Sequence, residues 1–268
     1  MRVDTLPPMR GPLAVYGGPV SNAHAMAAAL RTFDEHDLEQ AVCTGDLAAY
    51  CGDPYGTISM VRRTGHPVVA GNCERQIAAG AQDCGCGFEE GTVCDAMSGT
   101  WWAHVLGETT PDDAAWMAEL PDMLILDHDG IRTAVLHGGA TDIARFVWPS
   151  DADDVFHEEI AAIRAAAGPV DRVLAGHCGV PFERVVDGVS WVNAGSIGMP
   201  PHDGRAETRW ALIDADGVRF KRLSYDHEGA ACAMEAAGLV QGYQTALRTG
   251  YWPSEDVLPT ALRRRTAS

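Results

Sequence analysis

Five short apolar runs in this chain each end abruptly at glycine or histidine followed by polar residues. Leu13–Tyr16 gives way to Gly17-Gly18-Pro19-Val20-Ser21-Asn22, Ala41–Thr44 to Gly45-Asp46, and Pro67–Ala70 to Gly71-Asn72-Cys73-Glu74. Ile131–Leu136 gives way to His137-Gly138-Gly139, and Arg172–Ala175 to Gly176-His177-Cys178-Gly179-Val180-Pro181. Short apolar runs bounded by turn residues are the signature of buried strands. Open α/β sheets build their sites just beyond such strands, so the chain is constrained to a fold in which several strand ends share one edge.

Helical stretches alternate with the first runs. Asn22–Phe33 is Ala-rich and can be capped by Ser21 or Asn22, and a second helix is predicted near Thr57–Arg63 after the turn at Gly52–Pro54. Strand, helix, strand in succession reads as βαβ units. Residues 84–120 carry no strand signal and read as a helical insertion, with helices over Asp95–Val105 and Pro111–Leu120. Met123–Leu126 and Ile131–Leu136 flank Asp129-Gly130, a hairpin step. Asp151–Ala167 is amphipathic, acidic in its first turn and stopped by Gly168-Pro169. Two more hairpins are predicted, turning at Asp187-Gly188 and Asp216-Gly217, before a C-terminal helical segment over 226–250. Parallel units followed by hairpins predict a single α/β domain over 1–268, a four-layer α/β/β/α sandwich of two mixed sheets with flanking helices.

Composition narrows the partners. Hydrophobic residues at 46% supply a full core, which excludes a disordered chain. A formal net charge of -17, from 37 acidic and 20 basic side chains, argues against extended nucleic acid or anionic membranes as partners. A small phosphorylated substrate stays open, because a bound metal inverts the local potential. No apolar run approaches the roughly 20 residues that span a bilayer, and the start lacks a signal-peptide pattern, so a cytoplasmic protein is expected. Its eight cysteines are then thiols or metal ligands rather than disulfides, and a homodimer is the default assembly.

In this order, and behind these strands, the five polar segments resemble the motif series of the calcineurin-like metallophosphoesterase superfamily, in particular its small bacterial and archaeal phosphodiesterase-like branch. That series runs Asp-x-His, Gly-Asp, Gly-Asn-His (or Cys)-Asp (or Glu), His-Gly and Gly-His-x-His. Asn193-Ala194-Gly195-Ser196 is similar to the family's Asn-Pro-Gly-Ser turn, and Tyr225–Leu247 to its C-terminal helices. The resemblance implies a metal-dependent hydrolase of phosphomonoester or phosphodiester bonds. It implies Asp46, Asn72, His137 and His177 as the complete ligand set of one metal, with Asp46, His137 and His177 catalytic.

The other metal of the family pair has lost its private ligands. Gly18 stands where the family has Asp, Val20 where it has His, and Gly179 where the fifth motif has its last His. Loss confined to one coordination sphere leaves a one-metal site. A carboxylate, an amide oxygen and two imidazoles suit manganese, zinc or iron, one ion per chain.

Further candidates lie around this set. Gly17, Gly18, Ser21 and Asn22 can form a phosphate-binding substitute for the missing metal, through close backbone approach and a helix N-terminus; the same glycines also suit a plain strand-to-helix turn. Cys73 occupies the place of a catalytic His in many relatives and is either a weak proton donor on the substrate side or a packing residue. His24 reaches the site only if its helix turns that way. Cys84-Gly85-Cys86, with Cys73 and Cys94, reads as a zinc site, as a redox pair, or as the edge of a lid. In the lid reading Phe88 and the Trp101-Trp102 pair supply apolar contacts to substrate, at least one tryptophan being core. The rival functions are a catalytically inactive metallophosphoesterase-like scaffold and a binder of a phosphorylated ligand.

Overall fold

The structure, a computed structural model, describes residues 1–264. The chain opens with β1 (Val3–Thr5), β2 (Leu13–Tyr16), α1 (Ala23–Glu35), β3 (Gln40–Cys43), α2 (Pro54–Thr64) and α3 (Asn72–Ala79). Helices α4 (Val93–Glu108) and α5 (Pro111–Ala118) follow, then β4 (Met123–His128), β5 (Ile131–Leu136), α6 (Asp153–Ala167) and β6 (Arg172–Ala175). The last part runs β7 (Phe182–Val186), β8 (Val189–Asn193), β9 (Thr208–Asp214), β10 (Gly217–Leu223), α7 (His227–Ala236) and α8 (Tyr243–Thr249).

Local chemistry sets these boundaries. The Asn22 carboxamide oxygen accepts from the Ala25 N–H at 3.0 Å and starts α1. Asp53 caps α2 ahead of Pro54, and Thr110 with Asp113 forms a capping box on α5. Asp129-Gly130 (φ +53° and +84°) and Asp187-Gly188 (φ +48° and +79°) hold both central residues in the left-handed region, as a tight hairpin requires.

Two mixed sheets result, one ordered β1-β4-β5-β6-β8-β7 and the other β10-β9-β2-β3. Strand alternation sorts the side chains between layers. Leu13 and Val15 of β2, Val135 of β5 and Leu174 of β6 meet in the apolar layer between the sheets. Their neighbours Ala14 and Tyr16 face the α1, α2, α4 and α7 side, while Ala134, Leu136, Val173 and Ala175 face α6. Each fully buried Val or Leu in these layers contributes about 1.5–3 kcal/mol over its exposed state. The outcome is the expected α/β/β/α sandwich of two mixed sheets with flanking helices. Among the described residues no helix is long and apolar enough to cross a membrane.

The segment Pro67–Ala70 departs from the expected third strand. It makes a single bridge between Val68 and Cys43, because Ala70 N–H turns away to the Pro121 carbonyl at 2.8 Å. Val3–Thr5, with one apolar residue, gave no strand signal but pairs parallel to Met123–Ile125. The insertion is helical only over α4 and α5; residues 84–92 are irregular.

Candidate metal centre

Four strand-end segments converge on His137. Its Nε2 lies 3.1 Å from Asn72 Oδ1, 3.0 Å from His177 Nδ1 and 3.3 Å from Asp46 Oδ2. Its Nδ1 lies 2.6 Å from the Thr44 carbonyl oxygen, which only accepts, so Nδ1 carries the ring proton. With imidazole neutral, Nε2 then presents a lone pair to the donor atoms of the other three residues. In the metal-free protein a proton on an imidazole nitrogen can bridge these atoms, and a shared cation can take its place. Asp46 Oδ1 and His177 Nε2 are also buried with no hydrogen-bond partner, and the ligand atoms of Asp46, His137 and His177 fall within 4.8 Å of one another. The residues present therefore fit a divalent transition metal.

The backbone is bent to achieve this. Asp46 and His177 sit at φ +56° and +60°, conformations that cost non-glycine residues about 1–3 kcal/mol and persist where the surroundings enforce them. Glu74 is the enforcing group at Asp46: its buried carboxylate accepts from the N–H groups of Asp46, Leu47 and Gly71, each at 2.8 Å. Gly45 must be glycine, since at φ +89° a Cβ would lie 2.6 Å from the Gly71 nitrogen. The Asn72 amide is aimed by its nitrogen, which donates to the Cys84 carbonyl at 2.9 Å and touches the sulfurs of Cys86 (3.4 Å) and Cys73 (3.5 Å).

Electrostatics follow from the enclosure. Burial acts to raise the Asp46 carboxyl, but the charge and hydrogen bond of His137 outweigh it and hold the group below its usual range. For His137 burial acts downward, and Asp46 more than compensates, raising it. Burial and the neighbouring His137 push His177 down to about 3, so this ring is neutral and free to donate a lone pair. Burial, reinforced by the charge of Asp46, raises Glu74.

Beside Asp46 and His177 opens a cavity of about 70 Å³. Its walls include Tyr50, Phe88, Phe146, Met199, Tyr243 and Trp252, and no Lys or Arg is among its described lining residues. Gly18, Val20 and Gly179, the three positions that lack ligands, also line it. A Cβ built on Gly179, at φ +69°, would meet the Trp252 ring at 3.4 Å, so an indole from the C-terminal segment fills the space beside it.

The phosphate-binding substitute expected at the first turn does not form. Gly18, Val20 and Ser21 donate their N–H groups to the carbonyls of Gly45 (3.0 Å), Asp46 (3.0 Å) and Leu47 (2.8 Å). The Ser21 hydroxyl accepts from Ala49 N–H at 3.1 Å, and the Asn22 side chain, besides capping α1, donates to the Gly198 carbonyl at 2.9 Å. Gly17 packs against Thr44 and the Gly195 carbonyl. Ser21, Asn22 and His24 face a separate small cleft with Asp53 and Ala230. The turn is structural because every backbone donor named is spent on the β3 loop.

For Cys73 the packing alternative holds: it is fully buried in the helix-side core and lies outside the cavity wall, and although a hydrogen bond with Cys86 acts downward, burial and nearby charges raise its thiol. Trp101 and Trp102 are both core, Trp101 packing on Tyr50 at 4.8 Å and Trp102 donating to the Ala81 carbonyl at 3.3 Å. Phe88 and Cys94 do line the cavity. Cys73, Cys84 and Cys86 surround the Asn72 amide, and the Asp46, His137 and His177 cluster is the metal-ligand group found among the described residues. Sequence reasoning passed over the roles of Glu74, the Thr44 carbonyl and the cavity rings Phe146, Tyr243 and Trp252. Glu74 had a signal, an acid inside an otherwise buried motif; the rings had none.

Two mixed sheets presenting a carboxylate, an amide and two imidazoles at one edge are the arrangement of the metallophosphoesterase fold. The chain belongs to the calcineurin-like phosphoesterase superfamily, whose family model matches residues 18–217, a span that holds all four convergent residues. It is similar in structure to a metallophosphoesterase from Sphaerobacter thermophilus, with TM-score 0.68, 20% identity, and coverage of 91% of this chain and 99% of that one. It is also similar to hypothetical protein PH1004 from Pyrococcus horikoshii OT3, with TM-score 0.75, 17% identity, and coverage of 92% and 99%. At these identities the likeness is one of fold. No curated protein sequence matches the chain.

Proposed function

We propose that this protein hydrolyses phosphomonoester or phosphodiester bonds at a one-metal centre held by Asp46, Asn72, His137 and His177. The observation that carries the reading is the convergence of Asn72 Oδ1, His177 Nδ1 and Asp46 Oδ2 on His137 Nε2 within 3.3 Å, with Asp46 Oδ1 and His177 Nε2 buried and unpartnered beside them. A bound manganese, zinc or iron ion supplies Lewis-acid polarisation of a phosphoryl oxygen and lowers the pKa of water. The chain's own residues do the rest. Thr44 fixes the His137 tautomer, Glu74 locks the Asp46 turn, and Cys84 aims the Asn72 oxygen. The aromatic wall lowers the local polarity beside Asp46 and His177, which strengthens charge interactions there. The acidic net charge and the enclosed cavity favour a small phosphorylated substrate, and eight unpaired cysteines favour the reducing cytoplasm.

The test is turnover of aryl phosphate esters and nucleotide panels by purified protein supplied with each metal in turn. Metal-stimulated hydrolysis that disappears in an Asp46→Asn/His137→Ala double variant is expected. Equal rates in the two proteins would remove the reading.

A second reading, a non-catalytic binder of a phosphorylated ligand, is favoured by one observation: Cys73, in the place of a family histidine, is sealed in the core and supplies no proton donor to the site. Ligand-dependent thermal stabilisation without turnover separates it from the first.

A further inference from the structure

The wall of the cavity is unusual for a site that handles phosphate. Six large apolar or aromatic side chains, Tyr50, Phe88, Phe146, Met199, Tyr243 and Trp252, stand around Asp46 and His177, with no Lys or Arg among the described lining residues. Phe146 lies against a candidate ligand, its ring centroid 4.3 Å from that of His177, and Phe88 stacks beyond it at 6.5 Å. Tyr50 and Tyr243 pack at 4.7 Å on the same wall. Neighbouring cations are already engaged: Arg145, next in sequence to Phe146, pairs with Glu158 at 2.7 Å and Glu159 at 2.8 Å. Arg264 pairs with Glu255 at 2.5 Å.

Charge counting then selects the ligand. A divalent ion held by Asp46 would leave the ligand set with at most one net positive charge, and the Glu74 carboxylate behind the Asp46 turn can only reduce it. A doubly charged phosphomonoester would bring one negative charge too many into a low-dielectric chamber that has no side chain to meet it, inside a chain of net charge -17. A singly charged diester comes closer to balance than a dianion, and its organic groups find rings to bury against.

Resting on the phosphoester-hydrolase reading, we propose that the substrate is a singly charged phosphodiester bearing at least one aromatic or comparably apolar ester group, which packs on Phe88, Phe146 and Trp252. Hydrolysis adds one water across one P–O ester bond: the hydroxyl stays on phosphorus and the other proton leaves on the freed alcohol or phenol. The product monoester, whose second proton has a pKa of about 6, becomes a dianion that the chamber rejects, so charge also drives product release.

Non-hydrolysable probes test this by calorimetry and tryptophan quenching, with and without metal. Diphenylphosphinate carries one charge and two rings, dimethylphosphinate one charge and no ring, and phenylphosphonate at pH 8.5 two charges and one ring. On the metal-loaded protein, diphenylphosphinate is expected to bind at least about tenfold more tightly than either of the others. Without metal, the quenching of tryptophan by diphenylphosphinate should persist more weakly and that of dimethylphosphinate should vanish. Phe88→Ala, which leaves the Phe146 ring against His177 in place, should weaken diphenylphosphinate by more than it weakens dimethylphosphinate. Ser254→Arg, with Met199→Lys as a second design should the first not fold, should close the gap to phenylphosphonate by about tenfold. Phenylphosphonate or dimethylphosphinate binding as tightly as diphenylphosphinate, or none of the three binding, overturns the proposal. Turnover is read separately on bis(4-nitrophenyl) phosphate and 4-nitrophenyl phosphate. Preference for the monoester overturns the substrate class and keeps the hydrolase; no turnover of either, with the binding order intact, removes the hydrolase and keeps the ligand class.

Discussion

Asn72 reaches in two directions at once, its amide nitrogen donating to the Cys84 carbonyl at 2.9 Å while its oxygen faces His137 Nε2 at 3.1 Å. One planar group thus ties the irregular segment after α3 to the metal centre, and the two functions can be separated by substitution. Asn72→Asp keeps an oxygen for metal but replaces the donor with a second acceptor against a carbonyl, while Asn72→Ala removes both. Metal affinity, by calorimetry, should fall in both variants. Asn72→Asp should in addition lose about 1–3 kcal/mol of stability in the metal-free protein, measured by denaturant unfolding, through the unsatisfied Cys84 carbonyl.

Glu74 touches no candidate ligand atom directly, yet its three backbone acceptor bonds hold the Asp46 turn. Glu74→Gln replaces one carboxylate oxygen with an NH₂ facing N–H groups and should destabilise the fold by about 1–3 kcal/mol. The accompanying loss of metal binding should exceed that seen with a substitution on the exposed face of α6, such as Glu158→Gln. Equal metal affinity in Glu74→Gln and the unaltered protein would show that the turn holds without it.

Restoring the lost ligands should fail in a defined way. Gly18→Asp/Val20→His/Gly179→His rebuilds the family pattern in sequence, but Gly179 is at φ +69° and Trp252 stands over it. Metal analysis of the triple variant should still give about one ion per chain, and a second should enter only when Trp252→Ala is added. Two ions in the triple variant alone would mean that the indole yields freely.

Away from the site, Asp203 gives a pH-dependent prediction. Burial acts to raise its carboxyl, but hydrogen bonds from Arg209 at 2.7 Å and Arg222 at 3.1 Å win and hold it below the usual range. Its contribution is therefore complete above the unfolded value of about 3.9 and is lost as pH falls through the lower folded value. Asp203→Asn should lower stability by about 0.5–1 kcal/mol between pH 5 and 8, given its partial exposure. The difference between the two proteins should shrink below about pH 4, as read from urea midpoints.

What was written in the sequence is what depends on neighbours in the chain. The short apolar runs bounded by turn residues determined β2, β5 and β6, because a strand buried on both faces needs apolar side chains at successive positions. Asp129-Gly130 and Asp187-Gly188 determined two hairpins, because Asp and Gly tolerate the left-handed positions those turns require. The candidate ligand set was legible because Asp46, His137 and His177 each sit within three residues of the end of a strand and Asn72 opens the helix after the Val68 bridge, so that closing the sheets brings them to one edge. Tertiary structure alone decided what occupies the rest of that edge. Ser21 and Asn22 looked like anion binders in sequence, but their donors and acceptors went to Ala49 and Gly198, partners fixed by packing rather than by spacing. The three missing ligands were visible, but not the Trp252 ring that lies beside Gly179, 73 residues further along the chain. A side chain's occupancy of a distant cavity is set by volume and contact between remote elements, and no local pattern encodes it.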